Sequence, residues 1–195
     1  AACESLERSP SSNSKKAAII LTDGDGDYDD ENSCFTAKGW KLFAIGFGGA
    51  NMTLLDRITS ETGGEAILAS SASSLGCVMQ NLRAVASLGA KGDCIPKRLA
   101  PKETITTPVT VPGNLAAATF STTWAGSTVE MTLPSPSGTV YSAAADRPDT
   151  TYSVGPTYEV FSIVDPEPGT WTVSIYGADL PEGGEDVYFT PTMVP

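Results

Sequence analysis

Histidine is missing altogether from these 195 residues. That absence excludes His-based acid–base catalysis, Ser-His-Asp and Cys-His nucleophile pairs, and His-ligated zinc. Positive charge is scarce too: 12 Lys and Arg stand against 23 Asp and Glu, a net charge of −11. Such a chain is poorly suited to nucleic acid or to an anionic membrane surface, both of which call for Lys and Arg. No apolar run reaches the roughly 18 residues that a membrane-spanning helix needs. Cysteine is sparse, with Cys3, Cys34, Cys77 and Cys94 widely spaced and no CxxC pair, so a zinc ribbon is excluded. An even number of cysteines fits two disulfides in an oxidising compartment, with three connectivities open; four free buried thiols is the alternative.

What is present begins with Ala17-Ala18-Ile19-Ile20-Leu21-Thr22-Asp23-Gly24. The unbroken apolar run reads as a buried parallel strand, and it delivers an acid into a glycine-rich turn. In open α/β sheets ligands bind outside the carboxyl ends of the strands, which makes Asp23 a candidate site residue. Asp25, Asp27, Asp29, Asp30 and Glu31 follow it. An EF-hand does not fit. Counted from Asp23, Tyr28 falls where the loop requires Gly, and Cys34 falls where it requires Glu. A carboxylate-rich rim for a hard cation, Mg2+ or Ca2+, remains one reading, and a solvated acidic loop is the other.

Further along, residues 31–38 read as a short helix, 40–47 as a second strand, 52–61 as a helix with Leu54, Leu55 and Ile58 on one face, and 65–69 as a third strand. A helix over 73–87 follows, with Leu75, Val78, Met79, Leu82 and Val85 as its core stripe. This alternation predicts an α/β region with a parallel, Rossmann-like sheet over residues 1–95. Residues 96–102 read as a linker. Over 103–195 the chain turns Thr-, Val- and aromatic-rich, with seven short strands between Pro/Gly turns, and predicts an antiparallel β-sandwich with Trp124 and Trp171 as core anchors. Asn51-Met52-Thr53 is an N-glycosylation sequon, but it sits where Asn also serves as a helix cap.

Three ordered motifs carry a family resemblance: Ile19-Ile20-Leu21-Thr22-Asp23-Gly24, Lys41-Leu42-Phe43-Ala44-Ile45-Gly46-Phe47-Gly48, and Leu55-Asp56-Arg57-Ile58-Thr59-Ser60-Glu61-Thr62-Gly63-Gly64. Together they resemble the C-terminal half of a von Willebrand factor A domain. With Cys3, Cys34 before Phe35, and the sandwich that follows, the chain resembles the secreted calcium-activated chloride channel regulators. The resemblance implies a metal-ion-dependent adhesion site in which Asp23 is a ligand of Mg2+ or Ca2+, with Asp25 and Asp27 at its rim. The site is incomplete in this chain alone, because the other ligand loops would lie on a separate N-terminal polypeptide or a cleaved-off half. It also implies the disulfides Cys3–Cys34 and Cys77–Cys94. An upstream zinc protease belongs to the same family pattern, but without His-Glu-x-x-His its activity does not carry over, so the chain itself is expected not to be an enzyme. The function expected is an extracellular, cation-dependent protein-binding module, secreted or at the cell surface, that engages a partner's carboxylate or surface loop. The alternatives are a non-catalytic accessory region of a secreted hydrolase and a purely structural surface protein.

Overall fold

A computed structural model describes residues 2–9, 16–23, 32–71, 74–86, 94 and 96–195. The chain divides into two compact units, residues 1–71 and 72–195.

The first unit opens with helix α1 (Ala2–Glu7), strand β1 (Ala17–Thr22) and helix α2 (Ser33–Lys38). Strand β2 (Lys41–Phe47), helix α3 (Met52–Ser60) and strand β3 (Ala66–Ala69) complete it. The strands pair in parallel in the order β1-β2-β3. Gly39 ends α2 in the left-handed conformation, and its N–H turns back to the last carbonyls of the helix. Trp40 and Leu42 pack with Phe35 of α2, Ile58 of α3 and Cys3 of α1. The Cys3–Cys34 disulfide ties α1 to α2. Buried Asn32 adds a polar tie from the start of α2 to α3, donating to Ile58 O at 3.1 Å and to Glu61 Oε2 at 2.6 Å. At Gly64 the backbone passes so close to β2 that a Cβ would lie 1.8 Å from Leu42 O, which only glycine permits.

The second unit begins with helix α4 (Leu75–Ala86), which packs on two strands of the larger sheet described next. A five-stranded antiparallel sheet contains β4 (Pro96–Leu99), β6 (Ala117–Thr123), β9 (Thr150–Gly155), β10 (Tyr158–Val164) and β12 (Glu185–Val194), in the order β4-β12-β6-β10-β9. A four-stranded one contains β5 (Thr104–Val111), β7 (Thr128–Pro134), β8 (Val140–Tyr141) and β11 (Gly169–Asp179), in the order β5-β11-β7-β8. Alternate residues of both sheets share one core. Trp171, fully buried, stands at its centre, with ring centroids 5.5 Å from Phe120 and 5.2 Å from Tyr141. Its indole N–H donates to Glu167 O at 2.8 Å, so the ring is buried without leaving a donor unpaired. Cys77 of α4 is bonded to Cys94.

The expectation of a Rossmann-like α/β fold is overturned. Among the described residues, strand accounts for 47% and helix for 19%, and the parallel pairing is confined to three short strands. Among the described residues the order β1-β2-β3 does not reverse, so they contain no topological switch point of the kind that opens a ligand crevice in doubly wound folds. The helix over 75–86 joins the antiparallel unit, contacting β12 and β6. Nor is β1 a buried strand. It lies at a sheet edge, and Ile19 and Leu21 are 42% and 56% exposed. In α4, Val78 and Leu82 are buried but Met79 is exposed.

Two strands escaped the pattern reading, β4 and β9, and both are sheet edges. β4 reads Pro-Lys-Arg-Leu, with Pro at the first position, where a missing N–H does least harm, and with charges that discourage pairing by another chain. β9 reads Thr-Thr-Tyr-Ser-Val-Gly, polar because an edge strand keeps much of its surface in water.

Candidate functional site

Parallel pairing brings the carboxyl ends of β1, β2 and β3 to one edge of the first unit. Asp23 follows β1 there and is exposed. Gly48 and Gly49 turn the chain after Phe47, with Gly48 left-handed at φ 53° and Ala50 N–H bonded to Phe47 O at 2.9 Å. Asn51 closes the turn as the cap of α3, its Oδ1 accepting from Leu54 N at 3.1 Å. Gly46 lets α3 approach this end of β2, since a Cβ there would meet Met52 Sδ at 2.7 Å and Ala50 Cβ at 2.9 Å. The edge therefore carries one described carboxylate beside two glycines and a capping amide.

Asp25 and Asp27 lie outside the described residues. Among the described residues no group of three or more Cys, Asp or Glu side chains comes together as a metal site. A hard cation needs about six convergent oxygens. One exposed carboxylate does not meet that need, so the described residues do not fit a bound Mg2+ or Ca2+ by themselves.

A second cluster, in the sandwich, was not recognised from the sequence. Glu159 of β10 is 2% exposed and points inward with Phe161 and Ile163. Its Oε2 accepts from Met131 N–H of β7 at 2.6 Å, and its Oε1 accepts from Tyr152 O–H of β9 at 3.1 Å. Burial pushes its carboxyl up to about 7, with the nearby Glu130 charge adding to the rise and the two hydrogen bonds opposing it. Burial and the Glu159 charge push the Tyr152 phenol up to about 12. The signal was present in the sequence: within Tyr158-Glu159-Val160-Phe161-Ser162-Ile163, Glu159 has the parity of the core residues.

Other inward or loop-facing acids of the sandwich have local structural partners. Asp149 holds the loop after β8: it accepts from Tyr141 O–H at 2.9 Å and pairs with Arg147 Nε at 3.2 Å, while Arg147 stacks 4.4 Å over the Tyr141 ring. Burial opposes ionisation of Asp149, but bonds from Arg147, Tyr141 and Thr150 outweigh it and hold the carboxyl below its usual range. Glu167 accepts from Ser135 and Ser137, both at 2.8 Å, which lowers its pKa and closes the turn after β7. Glu185 accepts from Ala125 N–H and Ser127 O–H in the loop that carries the chain from β6 in one sheet to β7 in the other. Trp124 is buried at the start of that loop, its N–H donating to Ser127 O at 2.7 Å, as a core anchor.

No family model matches this chain. No curated protein matches it either. Among solved structures it is similar to a lipase of Bacillus licheniformis in its propeptide form, at 12% identity and TM-score 0.37, over 80% of this chain and 41% of the lipase. The chain thus spans about two fifths of that protein's length. A periplasmic inhibitor of g-type lysozyme from Aeromonas hydrophila is similar at 14% identity and TM-score 0.31, over 54% of this chain and 84% of the inhibitor. A protein from Sulfurospirillum deleyianum is similar at 11% identity and TM-score 0.32, over 54% of this chain and 96% of the other.

Two disulfides agree with folding in an oxidising environment. Among the described residues no helix is long and apolar enough to cross a membrane.

Proposed function

We propose that this protein is an extracellular binding module that engages a macromolecular partner, secreted or displayed at the cell surface. The observation that carries this reading is the strand-end edge of the first unit, where exposed Asp23 stands beside the Gly48-Gly49 turn. A small substrate is normally held in a concave pocket that buries most of it. An exposed acid beside a glycine turn at an open strand-end edge suits contact with a protein surface. Asp23 is the anionic contact of this surface. Mg2+ or Ca2+ joins the interface only where donors beyond the described residues complete its coordination.

A photo-crosslinking amino acid at exposed Gly49, with a control at exposed Asp186, tests the reading in the extracellular fraction of the source. The expected result is a discrete adduct from position 49 that disappears in the Asp23→Asn variant. No adduct, or one indifferent to Asp23→Asn, overturns the proposal. Loss of the adduct in excess chelator assigns a cation to the interface, and persistence removes it. Recovery of a hydrolase as the adduct would shift the reading to an accessory region of that enzyme.

A further inference from the structure

Most buried carboxylates in a protein core are offset by a cation, because an isolated charge in a low-dielectric interior is costly. Glu159 has no such offset in its hydrogen bonds. Its two partners are a backbone N–H and a phenol, and both are neutral. Among the described residues, the charged and titratable groups that act on it are Tyr152 from β9 and Glu130 from β7, and neither supplies positive charge. On the β6 side its register partner is Thr122, whose hydroxyl donates to Met131 Sδ at 3.3 Å. The carboxyl group also joins two layers. Met131 lies on β7 of the four-stranded sheet, whereas Glu159 and Tyr152 lie on β10 and β9 of the five-stranded sheet. β8 pairs with β7 only at Leu133 and Pro134. At Met131, two residues before that pairing begins, the Glu159 side chain occupies the position that a strand carbonyl would take.

We propose that Glu159 is a proton-held latch between the two sheets of the sandwich, closed while its carboxyl group is protonated and weakened when it ionises. The neutral form keeps both bonds. Its carbonyl oxygen accepts from Met131 N–H, and its O–H donates to the Tyr152 oxygen, which reverses the direction of that bond. The ionised form also accepts from both donors but places an uncompensated charge between the sheets. It gains hydration when β7 separates locally from β10 and β9, which uncovers the Met131 N–H at the sheet edge. In an opened or unfolded chain the carboxyl reverts to the ordinary 4.5, against about 7 when closed. The closed form therefore holds a proton that the open form releases between those values. The stabilisation is fully present below about 4.5 and is lost as pH rises through about 7. This is the opposite of a salt-bridged carboxylate, whose contribution disappears in acid. The latch extends the functional reading by giving the sandwich a response to pH near neutrality that does not depend on Asp23.

The test is native-state amide exchange on the full chain at pH 5.5 and pH 8, expressed as protection relative to each amide's intrinsic rate, with the Glu159 carboxyl titrated by carbon NMR. Protection of the Met131 amide is expected to fall by at least about tenfold on going to pH 8, the factor that one unit of differential pKa supplies. Glu159→Gln keeps both bonds, with its amide oxygen accepting from Met131 and its NH2 donating to Tyr152, and should show equal protection at the two pH values. A carboxyl that titrates near its ordinary value, or wild-type protection that does not change with pH, overturns the latch. So does an unchanged pH response in Glu159→Gln. The two wild-type measurements decide the matter even if the variant fails to fold.

Discussion

The two units of this chain hold themselves together by different means. In the first, the strands are short, β1 exposes Ile19 and Leu21, and the core is a small cluster around Trp40, Leu42, Phe35 and Ile58. A covalent link between α1 and α2 and a buried amide at Asn32 supplement that limited apolar burial. In the second, two sheets close over an aromatic-rich interior centred on Trp171. That interior is large enough to accommodate a carboxyl group at Glu159, while Glu185 at the start of β12 and Glu167 in the turn before β11 meet hydroxyl and backbone donors at its margins. The contrast is one of scale. Each unit carries one disulfide, Cys3–Cys34 in the first and Cys77–Cys94 in the second, but the small unit leans on its cross-link more because burial alone leaves it little net stability, while a larger core tolerates a costly polar group.

Three substitutions probe that contrast, in decreasing order of effect. Trp171→Ala removes the centre of the sandwich core and should cost about 3–5 kcal/mol, measured by denaturant unfolding. A loss below about 1 kcal/mol would show that the interior is not organised around this ring. Replacing Cys3 and Cys34 together by Ala opens a loop with a sequence separation of 31 and should cost about 2–4 kcal/mol. If the first unit depends on its cross-link, the midpoint of its transition, followed by Trp40 fluorescence, should fall steeply. An unchanged midpoint would erase the distinction drawn between the units. Asn51→Ala deletes the cap of α3 and should cost about 1 kcal/mol. The intact mass of protein secreted from a eukaryotic host shows separately whether the sequon is used.

Much of the local structure was legible in the sequence because it is local. The helix over Met52–Ser60 follows from Leu55 and Ile58 at helical spacing behind an Asn cap, and β11 follows from the alternation of Trp171, Val173 and Ile175. Edge strands were less legible, since β4 and β9 lack the apolar face that defines a central strand. At the candidate site, Asp23 follows the end of β1, as its position after Leu21 and Thr22 implied, while Asp25 and Asp27 lie outside the described residues. Glu159 was passed over because a single acid in an alternating strand reads as a solvated residue unless its parity is followed to the core.

By itself, the sequence determined the helices and the central strands, where turns fall, and that these residues supply no histidine, because these depend on residue identity and short-range periodicity. It also limited the four cysteines to three pairings without choosing among them. Only the tertiary structure decided that α4 belongs with the antiparallel sheets, that β1 is an edge, and that Glu159 lies between Met131 and Tyr152. Those outcomes depend on which faces meet across long separations in the chain, and the burial that results fixes the ionisation of a carboxyl group whose sequence neighbours leave it ordinary.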